Sequence, residues 1–150
     1  MRFARILCPV DFSEASYEAM LAAADLARAF DSLLMLVNVY QLPVPIVPRM
    51  ALDPLFVGAI MKDADENLAR LAREATQLGA RRVESSRLEG VPWDAIVKLA
   101  RDGHADVVVM GTHGRTGLRH ALLGSVAERV IRHAPCPVLV IRPSSLARAK

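Results

Sequence analysis

Lysine is scarce in this chain: of nineteen basic residues only three, Lys62, Lys98 and Lys150, are lysines. None follows a glycine-rich run, which excludes the G-x-x-x-x-G-K-S/T loop whose lysine reaches the β- and γ-phosphates. G-x-G-x-x-G is missing too, so the usual dinucleotide fingerprint is excluded. Cysteine is limited to Cys8 and Cys136, each before a proline, with no CxxC and no paired histidine. That argues against a metal site and predicts buried, reduced thiols. The four histidines (His104, His113, His120, His133) show no ligand spacing and are expected on the surface or in loops. Aromatic residues make up 5% of the chain and do not alternate with the scattered arginines, so nucleic-acid binding is not expected. No apolar run is long enough to cross a bilayer core of roughly 30 Å, so no membrane contact is expected. Met1 to Arg5 leads straight into a strand-like segment without a signal peptide, and the cytoplasm is the expected location.

What is present is a globular composition. The chain has 150 residues, 53% hydrophobic and 23% charged, with a net charge of +3. This suits one domain, residues 1–143, followed by a frayed basic tail, 144–150. Arg2 to Val10 reads as a first strand, and Ser13 as the N-cap of a helix reaching about Phe30, with Ser16, Met20, Ala23, Ala27 and Phe30 on one face. Leu33 to Tyr40 is continuously apolar, as in a parallel sheet covered on both sides. Prolines 43, 45, 48 and 54 then predict a long, mobile loop. A second helix is expected from about Leu55 to Leu78, with Ala64, Leu68, Leu71, Ala75 and Leu78 inward and Gly79 as its stop. Arg81 to Gly90 alternates weakly, fitting an edge strand. Pro92 opens a helix whose buried stripe is Trp93, Ile96, Val97 and Ala100. Asp106 to Met110 is the fourth strand. Ser125 and Glu128 form an S-x-x-E capping box for the last helix, with Ala127, Val130, Ile131 and Ala134 inward. Cys136 to Pro143 is the fifth strand. This alternation predicts an open parallel α/β sheet with helices on both faces and a ligand beyond the carboxyl ends of the strands.

Between the fourth strand and the last helix stand Gly111, Gly114, Gly117 and Gly124. Glycine lets main-chain N–H groups approach a ligand closely, and such a loop entering a helix N-terminus makes a nest for an anion. The helix dipole adds positive potential at Ser125, Val126 and Ala127, which suits a di- or triphosphate. Arg115 and Arg119 are placed to neutralise remaining charge, or are simply solvated. Asp11 closes the first strand; it is either a ligand for a nucleoside's hydroxyl or amino groups or a helix cap beside Ser13.

Gly111-x2-Gly114-x9-Gly124-Ser125 resembles the G-2x-G-9x-G-S/T nucleotide signature of universal stress proteins, and the resemblance spans nearly the whole chain. ILCPVDFSEAS is similar to that family's first strand and helix start, VVVMGTHGRTGL to its fourth strand and loop, and LLGSVAERVIRHAPCPVLVIRP to its closing helix and strand. The resemblance implies a five-stranded, Rossmann-like parallel sheet in the order 3-2-1-4-5, similar to the adenine nucleotide alpha hydrolases. It also implies a homodimer through the last strand (Val138, Leu139, Val140, Ile141) and binding of ATP, with or without Mg2+. By position, Gly111, Gly114, Gly124 and Ser125 would hold ribose and phosphates, with Arg115 beside them. Pro9, Val10 and Asp11 would line the nucleoside pocket, Val39 would meet the adenine edge through its backbone, and Met110 and Val126 would complete the wall and mouth.

Phosphoryl transfer needs metal-bridged phosphates and a positioned base, and Asp11 is the one carboxylate that the sequence places near the phosphates. Slow hydrolysis or self-phosphorylation at most is expected, in a nucleotide-dependent switch for the response to stress. The alternatives are a nucleotide-free stress protein that acts by dimerisation and protein contacts, and an adenylating or phosphoryl-transferring enzyme. The second lacks the histidine or basic motif that such enzymes carry near the first helix.

Overall fold

Each apolar segment divides its side chains between two helical layers, because successive strand residues point to opposite faces. The computed structural model describes residues 3–41, 53–112 and 123–143. Five strands, β1 (Arg5–Pro9), β2 (Leu33–Tyr40), β3 (Arg82–Glu89), β4 (Val107–Gly111) and β5 (Val138–Ile141), alternate with four helices, α1 (Glu14–Phe30), α2 (Pro54–Gln77), α3 (Pro92–Asp102) and α4 (Ser125–His133). All strand pairs are parallel, in the order β3-β2-β1-β4-β5. Ile6, Cys8, Leu34, Leu36, Val107 and Val109 pack with α1 and α2 on one side. Leu7, Met35, Val37, Val108 and Met110 pack with α3 and α4 on the other. The apolar run of β2, broken only by Asn38, is thus explained: β2 is an interior strand covered on both faces.

The helix signals act locally. Ser13 caps α1, its side chain accepting from the Ser16 N–H at 3.3 Å, a contact worth roughly 1 kcal/mol in such positions. Gly79 follows α2 at φ 103°, a left-handed conformation that glycine adopts without a Cβ penalty. β3 is the outer strand next to β2, as its weak alternation predicts.

Several boundaries and faces differ from expectation. β1 and β5 are shorter than their expected runs, and β4 is displaced by one residue, Val107–Gly111 in place of Asp106 to Met110. Asp106 stands outside β4 and accepts hydrogen bonds from the Ala4 and Arg5 N–H groups at 2.7 and 2.8 Å. Phe30, Leu78 and Ile131 are exposed instead of inward, and each lies in or just past the last turn of its helix. Phe30 compensates by meeting the ring of Phe3 edge-on at 5.3 Å. Trp93 is half-buried, with Arg129 5.6 Å and His133 5.3 Å from its ring. His104 and His133 are exposed. The proline-rich loop (42–52), His113, His120 and the tail (144–150) lie outside the described residues.

Candidate functional site

β1 and β4 are neighbours, and their chains leave in opposite directions, β1 into α1 and β4 into α4 on the other face. That reversal opens a crevice at the carboxyl ends of the two strands.

On the β1 side, the ladder to β2 ends with the Val10 N–H donating to the Val37 carbonyl at 2.8 Å. The Val10 carbonyl accepts from Asn38 Nδ2 at 2.8 Å, inside the protein. The next N–H, that of Asp11, donates to Ser16 Oγ at 3.3 Å. Asp11 Oδ1 accepts from the Ser13 N–H at 3.1 Å and from the Ser13 hydroxyl. Between them Phe12 takes φ 65°, which non-glycine residues adopt infrequently. Asp11 therefore braces the entrance of α1 and also borders the crevice, so the two readings of this carboxylate hold together geometrically.

On the β4 side, Thr112 is buried; its N–H donates to the Ile141 carbonyl at 3.0 Å, and its carbonyl accepts from the Gly124 N–H at 2.7 Å. The two ends of the glycine loop are pinned together by this second bond. The expected capping box is corrected here: Gly124, not Ser125, is the N-cap of α4, and among the described residues no side chain caps the helix. Ser125 is already the first helical residue, so its hydroxyl is one position late for the cap role. The Gly124 carbonyl accepts from the Glu128 N–H at 2.9 Å, closing the first turn. The N–H groups of Ser125, Val126 and Ala127 stand at the start of the helix, where no carbonyl one turn back can receive them. They carry the positive end of the dipole.

These two sides enclose a cavity of about 290 Å³, near the lower end of the roughly 300–1,000 Å³ usual for small-molecule sites. Pro9, Val10, Asp11, Val39, Met110, Gly111, Gly124, Ser125 and Val126 all line it. Gly114 and Arg115, with Gly117 and Arg119, lie outside the described residues. The lining also includes residues that the sequence did not single out for a site. Val37, Pro92 and Ile96 add an apolar wall from β2 and α3, and Ser16 and Thr112 add to the lining from α1 and the end of β4, while Ala127, expected at the helix start, lines it too. Ser16 was legible only as a buried-face residue of α1, and Pro92 only as a helix opener. The cavity thus has an apolar side suited to a flat ring and a polar end made of main-chain N–H groups and one carboxylate.

Nucleophile and metal chemistry have less to work with. Burial pushes the Cys8 thiol up to about 12, so Cys8 stays protonated. Burial also raises Cys136. Among the described residues no three His, Cys, Asp or Glu side chains gather to hold a metal ion. Among the same residues no helix is long and apolar enough to cross a membrane.

Comparison with known proteins gives this geometry its context. A universal stress protein of Methanocaldococcus jannaschii is 38% identical over 141 residues, which cover 93% of this chain and 82% of that protein. The universal stress protein UspA from Lactobacillus plantarum has the same fold at a TM-score of 0.86 and 27% identity, covering 95% of this chain and 99% of that one. A universal stress protein in complex with cAMP matches at a TM-score of 0.70 and 27% identity, covering 95% and 99%. One from Archaeoglobus fulgidus in complex with dAMP matches at 0.68 and 26%, covering 94% and 99%. The universal stress protein family model matches residues 2–142, and with the fold and the relatives in agreement, the chain belongs to the universal stress protein family.

Proposed function

We propose that this chain binds an adenine nucleotide, ATP or a shorter form, in the crevice between Asp11 and the start of α4, and that occupancy biases its conformation or its choice of partner under stress. The observation that carries the proposal is the pairing of an apolar wall with a helix N-terminus whose N-cap is Gly124, a residue without a capping side chain. A purine suits the first, and phosphate oxygens suit the second. Two family members of the same fold are in complex with cAMP and with dAMP. In this reading the base lies against Val39 and Met110, Pro9, Val10 and Asp11 border the nucleoside, and Gly111, Gly124, Ser125 and Val126 receive the phosphates. Gly114 of the signature, and Arg115 beside it, belong to the same proposal. Mg2+, when present, would be held chiefly by the phosphates, with Asp11 the carboxylate at hand. With no second carboxylate on the cavity wall, hydrolysis is slow at most.

The proposal includes a homodimer through β5 (Val138, Leu139, Val140, Ile141) and work in the cytoplasm, where the free thiols of Cys8 and Cys136 stay reduced. Calorimetric titration of the purified protein with Mg-ATP and with AMP tests the central claim. Saturable heat at micromolar to submillimolar concentration supports it, and no heat from either nucleotide removes it.

A further inference from the structure

In a parallel ladder the rung after the Val10 N–H to Val37 carbonyl bond would run from the Val39 N–H back to the Val10 carbonyl. Here that carbonyl is met instead by the side chain of Asn38, at 2.8 Å. The register of β1 with β2 stops at Pro9 opposite Val37, and Val39 lines the cavity. The Val10 carbonyl and the Asp11 N–H belong to one peptide unit, and its other end is held as well, by Ser16 Oγ at 3.3 Å. Both holding side chains are buried, Asn38 at 7% and Ser16 at 5% exposure. The Ser16 hydroxyl is itself fixed by donating to the Ser13 carbonyl at 3.0 Å. A peptide gripped at both ends by buried side chains, just before a residue at φ 65°, is the over-determination that lets an uncommon conformation persist.

We infer that Asn38 and Ser16 are positioning residues: they clamp the Val10–Asp11 peptide so that β1 parts from β2 at Val39. The parting turns the main chain of Val39 toward the cavity for the hydrogen-bonding edge of a purine, and it presents Asp11 to the hydroxyl groups of the same ligand. This role rests on the adenine-nucleotide reading, but the opened seam is a property of the ligand-free protein. A residue without a donor at position 38 leaves the Val10 carbonyl to the Val39 N–H, and the seam closes.

The test uses full-length Asn38→Ala and Ser16→Ala. In the ligand-free state, amide hydrogen exchange at Val39, followed by NMR, slows about tenfold or more in Asn38→Ala as the new rung forms. AMP affinity by calorimetry falls about tenfold in each variant, the loss expected for one hydrogen bond that sets a binding geometry. In an Asp11→Ala background the Asn38→Ala change weakens AMP by less than it does in the wild type, because the share carried by Asp11 is already lost while that of Val39 remains; a purely global destabilisation would add in full. Unchanged or faster exchange at Val39 overturns the seam, and AMP affinities within about twofold of wild type in both variants overturn the positioning role. Ser16→Ala removes only a hydroxyl from a helix and decides the affinity comparison if Asn38→Ala does not fold. Wild-type protein that takes up no AMP overturns the nucleotide reading and the role in binding, while exchange at Val39 still decides the seam.

Discussion

A Cβ placed on Gly111 would lie 2.7 Å from the main-chain carbonyl carbon and oxygen of Ala15. The first turn of α1 therefore rests on the end of β4, and the first glycine of the loop is required by packing whether or not a ligand is present. Its absence of a side chain brings the start of α1 and the end of β4 together around the cavity.

Gly111→Ala is expected to lower stability by about 1–3 kcal/mol, because main chain and not a flexible side chain must give way. Urea denaturation measures it. A midpoint equal to wild type would show that α1 and β4 separate freely.

Gly124→Val should behave differently. Gly124 has φ −75° and ψ 154°, which any residue adopts, so the fold is retained. A branched side chain at the cavity wall beside the α4 amides should weaken ATP or AMP by about tenfold or more, equivalent to about 1.4 kcal/mol. Retained affinity in a folded variant would place the ligand elsewhere.

Alkaline pH offers a test of the core. Cys8 ionises at about 12 in the folded protein against 9.0 for an ordinary thiol. The unfolded chain thus releases a proton that the folded chain keeps, and stability falls as pH rises from about 9 toward 12. Tyr17 acts in the same direction above its ordinary value, raised chiefly by its hydrogen bond to Glu74. Cys8→Ala should flatten the decline seen in thermal melts. A thiol reagent at pH 8 should leave Cys8 unlabelled until denaturant is added.

β5 is an outer strand of four residues, Val138 to Ile141, with Leu139 at 41% exposure. An apolar outer strand without a charge is a ready template for pairing. Leu139→Lys is expected to shift the protein from dimer to monomer in light scattering with little change in thermal midpoint. A wild-type monomer at micromolar concentration would remove the dimer proposal.

The layered sheet was legible because its cause is local: runs such as Leu33 to Val37 can be apolar throughout only where both faces are covered. Helix ends were less legible. The S-x-x-E pattern at Ser125 and Glu128 matched a capping box, yet the chain places Gly124 at the cap, one residue earlier, and periodicity alone cannot fix that shift. The same limit hid the exposure of Phe30 and Ile131, since a repeat shows which side chains share a face but not which of them a neighbouring element covers. At the site, Asp11 and Gly124 stood out as residue types suited to an anion or nucleoside. Asn38 did not, because its partner is a carbonyl 28 residues away in sequence.

The crevice draws its walls from segments far apart in the sequence, β1 with α1 and β4 with α4, so it cannot form until α4 has been made. A nascent polypeptide still holding α4 in the ribosome has already synthesised β1 to β3 but lacks the amides at Gly124 to Ala127. Fragments ending before that helix lack one wall of the crevice however well they collapse, so a formed pocket reports that β1 and α4 have met.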